Sequence, residues 1–263
     1  MPISSTSNAT IKHIRRLRRR KEREQSGLCF IEGIRLVTEA LQLGAAVEAL
    51  IVAPDLLTSA FAWETVMSPA AQVERIEVTP EVFRHISTRE GPQGIGALVR
   101  QRWELIEQVR LGSELGWVAL DAVQDPGNLG TILRTSDAVG CAGVMLLGHS
   151  TDPYDPGALR AGMGAIFAQR LVRASFAEFA TWKQQHGYRV VGTSDAATLD
   201  YQACRYQPPL VLLMGSERLG LSPEQQALCD QIVGIPMVGR SDSLNLAVAT
   251  GVMLYEMFNQ NRG

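Results

Sequence analysis

Residues 210–224 read Leu-Val-Leu-Leu-Met-Gly-Ser-Glu-Arg-Leu-Gly-Leu-Ser-Pro-Glu. Five apolar residues without polar alternation predict a strand covered on both faces, as in a parallel sheet. Glu217 then stands between Gly215 and Gly220, and Ser222-Pro223 opens a helix, Ser as cap and Pro at its first position. Outward from this stretch the pattern repeats. Trp117–Val123, Gly143–Leu147, Tyr188–Thr193 and Gln231–Ile235 are further strands. Leu129–Ala138, Phe176–His186, Pro223–Leu228 and Leu244–Phe258 carry helical spacing. Strands alternating with helices predict an α/β domain with a parallel sheet over residues 113–263.

Upstream the pattern describes a second, smaller α/β domain over residues 1–100, joined by a polar, helical connector at 101–112. Ser7 or Asn8 caps a helix running to about Glu24. Phe30–Leu43 reads as a second helix, because Ile34, Val37, Ala40 and Leu41 recur at helical spacing. Val47–Val52, Val73–Val78 and Gly94–Val99 read as strands, and Asp55–Met67 and Pro80–Ser87 as helices.

The net charge is −2, but residues 1–25 hold Lys12, Arg15, Arg16, Arg18, Arg19, Arg20, Lys21 and Arg23 against Glu22 and Glu24. So dense a positive segment fits a polyanion better than a solvated helix start. Arg15, Arg16, Arg18, Arg19 and Arg20 are the candidate contacts. Cys29, Cys141, Cys204 and Cys229 form no C-x-x-C pair, and no histidines stand at ligand spacing, so neither a disulfide framework nor a metal site is expected. No apolar run is long enough to span a bilayer and no secretory leader is legible, which makes a cytoplasmic location the expectation.

Three segments follow the ends of strands, where open α/β sheets place their ligands. The first runs from Asp121 through Pro126-Gly127-Asn128-Leu129-Gly130 to Arg134; the second is 215–220; the third runs from Val233 through Ile235-Pro236-Met237 to Ser243-Leu244-Asn245. Each alone has an ordinary reading as a cap, a turn or a packing glycine. In order and spacing together they resemble the signature motifs of the SpoU/TrmH family of the SPOUT superfamily: N-x-G-x-x-x-R at Asn128, Gly130 and Arg134; G-x-E-x-x-G at Gly215, Glu217 and Gly220; and the I-P-M…S-L-N block at Ile235–Met237 and Ser243–Asn245. Phe30–Leu41 and Pro92–Ile95 resemble the family's N-terminal substrate-binding domain. A block at Tyr154–Pro156 and Arg160–Ala165 is also similar, with Asp155 and Gly162 departing from its usual asparagine and serine.

The resemblance implies a deep trefoil knot, a homodimer whose active site draws on both subunits, and S-adenosyl-L-methionine as cofactor. It implies cofactor contacts at Gly215, Gly220, Ile235, Met237, Leu244 and Leu246. It implies methyl transfer to a ribose 2′-hydroxyl of RNA, with Arg134, Asn128, Glu217, Ser243 and Asn245 as catalytic residues and Arg35 and Arg160 adding to the RNA contacts. A guanidinium stays protonated at ordinary pH, so Arg134 is better cast as a stabiliser of alkoxide charge than as a base. No full G-x-G-x-x-G is present, which disfavours a Rossmann-type enzyme. A separate N-terminal domain favours large-subunit ribosomal RNA over transfer RNA as substrate. The alternative of another class is a non-catalytic RNA-binding ribosome-assembly factor.

Overall fold

The computed structural model describes residues 1–68 and 72–262. The chain forms two compact units. One comprises Met1–Arg102 with Tyr154–Phe167, the other Trp103–Pro153 with Ala168–Gly263.

In the first unit, α1 (Ala9–Arg16) and α2 (Arg20–Ser26) precede β1 (Leu28–Glu32), α3 (Ile34–Gln42), β2 (Val47–Val52), α4 (Ala60–Met67), β3 (Glu74–Glu77), α5 (Pro80–Ile86) and β4 (Ile95–Arg100). The sheet order is β1-β4-β2-β3, with β2 and β3 parallel and the other pairs antiparallel. Its core gathers Ile11, Ile14, Leu17, Ile51, Val82, Phe83 and Ile86. Two expectations are corrected here. The basic N-terminal helix is two helices: Asn8 caps the first through the Thr10 N–H at 2.9 Å, and the chain breaks at 17–19. Arg23, 1 % exposed, secures the break by donating to the carbonyls of Leu17 and Arg18 at 2.8 and 3.0 Å. Likewise 30–43 is not one helix. Leu28–Glu32 pairs with β4, and Gly33, at φ +102°, separates strand from helix.

In the second unit, β5 (Trp117–Asp121), α6 (Pro126–Ala138), β6 (Gly143–Leu147), β7 (Arg170–Ala174), α8 (Phe176–His186), β8 (Arg189–Thr193), β9 (Leu210–Met214), α9 (Pro223–Leu228), β10 (Gln231–Val233) and α10 (Leu246–Asn261) follow in chain order; α7 (Pro156–Gly162) belongs to the first unit. The six strands are all parallel, in the order β10-β8-β9-β5-β6-β7. β6 and β9 are buried throughout. The apolar runs therefore mean what they suggested: strands covered on both faces by helices. β7 was not foreseen, because Arg170 and Arg173 interrupt its apolar run; their guanidinium groups lie over Trp117 and Trp103 at 5.0 and 4.3 Å. The 101–112 connector is not a helix. It holds a single 3-10 turn, Ile106–Gln108, and is tied down by Trp182 Nε1 donating to the Val109 carbonyl at 3.1 Å and by the Leu111 N–H donating to the Tyr188 hydroxyl at 3.1 Å.

Gly215 ends β9 where two stretches of backbone nearly touch. A Cβ there would lie 2.2 Å from the Gly220 carbonyl carbon and 2.4 Å from the Leu221 nitrogen. The turn between them closes on itself through paired Ser216–Gly220 backbone bonds of 3.1 and 3.0 Å. Gly215→Ala should therefore cost about 3 kcal/mol, at the upper end of overpacking. Thermal denaturation should show a midpoint lowered by about 5 °C or more. The thiols offer a second check. Burial pushes Cys141 up to about 12 and Cys229 up to about 11, and Cys29 and Cys204 are buried. Near neutral pH Ellman's reagent should leave all four unmodified in the native protein and titrate four after unfolding.

Candidate active site

β5 and β9 lie side by side at the centre of the sheet, and from them the chain proceeds toward opposite edges. Side chains delivered beyond the carboxyl ends of such a pair face a common crevice. Beyond β5, Ala122 adopts φ +47°, a strained value for a residue with a side chain. It is held there by its N–H to the Leu147 carbonyl at 3.1 Å and by the Gln124 side-chain amide, which donates to its carbonyl at 2.8 Å. The same Gln124 amide donates to the His149 carbonyl at 2.8 Å and so joins the loops after β5 and β6.

α6 then starts at Pro126 with Asp125 as its cap; the Asn128 N–H donates to Asp125 Oδ1 at 2.7 Å. Asn128 is thus not the cap, and its side chain is free for other partners. Its Nδ2 donates to Glu217 Oε1 at 2.6 Å, while its Oδ1 accepts from Asn245 Nδ2 at 3.0 Å. The second Glu217 oxygen accepts from the Gln124 backbone N–H at 3.2 Å. Asn245 in turn caps α10, its Oδ1 accepting from the Ala247 and Val248 N–H groups at 2.9 and 3.3 Å. One residue from each sequence segment is therefore joined in a line, Glu217–Asn128–Asn245. Both faces of each asparagine amide are assigned by their partners.

Arg134 sits two turns along α6, exposed, with no hydrogen bond or ion pair among the described residues. Six residues correspond to about 9 Å along the axis and about 240° around it, so Arg134 leaves the helix on a different face from Asn128. Ser243 is exposed and bonds to Asp242 at 3.3 Å; it does not join the line. Gln124 is the participant the motifs did not reveal. Its backbone N–H meets Glu217 and its side-chain amide meets two backbone carbonyls, partners that no residue pattern encodes.

The loops after β9 and β10 leave apolar side chains bare. Leu219 is 88 % exposed, and Met237, Val238 and Leu244 are also exposed; Ile235 is half-buried, and Leu246 is buried at the start of α10. With Gly215 admitting no side chain, these loops offer apolar surface beside exposed backbone. That combination suits a ligand with a flat heterocycle and a short polar tail, so the residues present fit S-adenosylmethionine. Among the described residues no three His, Cys, Asp or Glu side chains converge as a metal site, and no helix is long and apolar enough to cross a membrane.

The sequence model of the SpoU rRNA Methylase family matches residues 117–255. The chain belongs to that family. It is accordingly an S-adenosylmethionine-dependent RNA methyltransferase. Residues 8–97 match the MRM3-like substrate binding domain. An rRNA methyltransferase from Sinorhizobium meliloti, also crystallised with S-adenosylmethionine (AdoMet) bound, is 36% identical with a TM-score of 0.89, covering 100% of this chain and 99% of that one. The 23S rRNA (uridine(2479)-2′-O)-methyltransferase of Streptomyces viridochromogenes is 30% identical, over 92% of this chain and 86% of its own length. The 23S rRNA (guanosine(2553)-2′-O)-methyltransferase of Bacillus subtilis is 28% identical, over 97% and 98%.

Asn245 allows cap and site to be separated. Asn245→Asp keeps an oxygen for the α10 N–H groups but loses the donor to Asn128; the melting midpoint should hold while kcat falls about ten-fold or more, the worth of a hydrogen bond in a charged line. Asn245→Ala should lose activity and also about 0.5–2 kcal/mol of stability with the cap. Parallel melting curves and methyl-transfer rates check both.

Proposed function

We propose that this protein methylates a ribose 2′-hydroxyl of 23S-type ribosomal RNA. The observation that carries the reading is the Glu217–Asn128–Asn245 line at the carboxyl edge of the sheet. Support for the ribosomal substrate comes from relatives named for it that span almost the whole chain. A structural neighbour concerned with tRNA methylation covers only 58% of the chain.

When bound, S-adenosylmethionine supplies an activated methyl electrophile. The protein must align the hydroxyl in line with that methyl and favour loss of its proton. In our reading Asn128, oriented from both sides by Glu217 and Asn245, bonds the ribose. Arg134 stays protonated, holds the adjacent phosphate and stabilises the oxygen as negative charge develops. The hydroxyl proton would be lost to solvent, with the Arg134 charge offsetting the negative charge left on the ribose oxygen. Ser243 borders the pocket.

The placement of Arg134 on another face of α6 supports a homodimer in which one protomer's Asn128 works with Arg134 of the partner subunit. Exposed Val248 and Tyr255 on α10 give such a dimer apolar surface. A trefoil knot belongs to the same reading. It is supported by Gly234, which donates its N–H to the Leu199 carbonyl at 2.9 Å and accepts from the Tyr201 N–H at 3.0 Å, so that the chain after β10 runs against the loop after β8. The basic N-terminal segment would grip RNA backbone through Arg15, Arg16 and Arg19, which are exposed and without partners among the described residues. Arg18 and Arg20 are more engaged: Arg18 donates to the Ile86 and Ser87 carbonyls at 2.9 and 2.8 Å, and Arg20 pairs with Glu24 at 2.8 Å. The cytoplasm, where ribosomal RNA is made and assembled, is the expected compartment.

Arg134→Ala and Glu217→Gln should each reduce methyl incorporation into 23S rRNA by about a hundred-fold, the order seen for removing one transition-state donor. Mixed in equal amounts and allowed to exchange subunits, the two inactive variants should recover about a quarter of wild-type activity, since half the dimers would hold one intact site. No recovery after demonstrated exchange would place Arg134 in its own protomer's site. Incorporation into tRNA but not 23S rRNA would overturn the substrate. Reversing Arg16 and Arg19 to Glu should weaken RNA binding and leave S-adenosylmethionine affinity, measured by calorimetry, unchanged.

A further inference from the structure

The first unit contains a cleft of about 800 Å³ whose lining includes Arg35 and Arg160, two of the RNA contacts that the family resemblance implies. It lies between α3, the first turn of α4, the 88–93 segment and the end of α7. Arg35, Arg89 and Arg160 all line it and all are exposed. The guanidinium groups of Arg35 and Arg89 have no partner among the described residues, and Arg160 Nη1 donates only to Thr88 Oγ1, at 3.3 Å. Three carboxylates share the lining, but they are not equivalent to free anions. Glu32 accepts from Ser87 Oγ at 2.5 Å, from Thr88 Oγ1 at 2.6 Å and from the Thr88 N–H at 2.7 Å, and so is spent on holding the 87–89 segment. Glu39 is half-buried with its stem packed over Gly164; Glu90 alone is exposed.

The cleft also has apolar walls that ordinary packing would have covered. Phe61 is 54 % exposed, and Met163 is 37 % exposed in a left-handed conformation. Its shape is fixed by more than Glu32: Gln93 Oε1 accepts from the Ile34 N–H at 3.0 Å, pinning the 88–93 segment to the start of α3. Arg89 lies directly over Gly33, where a Cβ would stand 2.8 Å from its Nη1. Any side chain at Gly33 would push the guanidinium out of place.

Unpaired guanidinium groups beside a bare aromatic ring, in a preformed cleft within the size range of small-ligand pockets, match one ligand chemistry well. Phosphate takes bidentate bonds from arginine, and an unstacked base takes the face of an aromatic ring. An acidic peptide would use the arginines but leave Phe61 and Met163 in water. We propose that this cleft seats one unpaired nucleotide of the substrate RNA, with its phosphate between Arg35 and Arg89 and its base against Phe61. The proposal rests on the reading of the protein as an RNA methyltransferase. It would make the first unit a reader of an extruded nucleotide, over and above a basic surface.

The test compares the full-length protein with Phe61→Ala and with the double variant Arg35→Ala/Arg89→Ala, all at exposed positions and all checked by melting curves. For both variants the KM for 23S rRNA should rise about ten-fold or more, with kcat and S-adenosylmethionine affinity close to wild type. The affinity for a fluorescein-labelled pentamer of oligoadenylate, read by anisotropy, should fall by a similar factor; Phe61→Tyr should restore it. Unchanged KM and unchanged pentamer affinity in both variants would overturn the proposal. So would competition by polyglutamate that exceeds competition by unlabelled pentamer, which would mark the cleft as a seat for an acidic protein segment. If the wild type methylates no RNA, the enzymatic reading fails, and the pentamer measurements still decide whether the cleft takes a nucleotide.

Discussion

The carboxylate of Glu217 has two oxygens and two donors, the Asn128 amide and the Gln124 backbone, and the geometry of the site depends on that pairing. It joins the loop after β9 to the loop after β5, the two strands at the middle of the sheet. Without it the Asn128 amide would be oriented from one side only, by Asn245. The third loop, ahead of α10, enters through that bond. The same arrangement leaves Arg134 uncommitted, so its charge remains available for an incoming anion.

How much of this could be read in the amino acids differs between the units, for physical reasons. The second unit is legible because strands covered on both faces have no alternation to confuse with anything else and Ser222 and Pro223 mark a helix start; α6, expected from Leu129, begins three residues earlier, at Pro126. β7 is hidden because Arg170 and Arg173, whose guanidinium groups lie over tryptophan rings, read as polar within the strand. The first unit was harder. Leu28–Glu32 lies against an exposed helix start and shares its apolar residues with the helical spacing of α3. Only Gly33, with a backbone angle a side chain would resist, divides the two. Asn128, Glu217 and Asn245 were all visible as motif residues, but not the bonds that line them up. Gln124 could not be found at all, since its role is to pair with carbonyls and to offer a backbone N–H.

The basic N-terminal segment shows how a charge run divides its labour. Arg23 is withdrawn from solvent to hold the carbonyls at the end of α1, and Arg18 meets the carbonyls at the end of α5. Both use a cation where a helix exposes its negative end. Arg15, Arg16 and Arg19 have guanidinium groups without a partner among the described residues. A count of charges would treat all of these alike; burial and hydrogen bonding separate those that build the unit from those that remain free to meet RNA.

The chain visits the first unit twice, at 1–102 and again at 154–167. The two units are therefore not modules that a single cut could separate. A fragment beginning after residue 102 would keep α7 without the residues it packs among, exposing Tyr154, Ala158 and Leu159, all buried in the intact protein. Such a patch invites association.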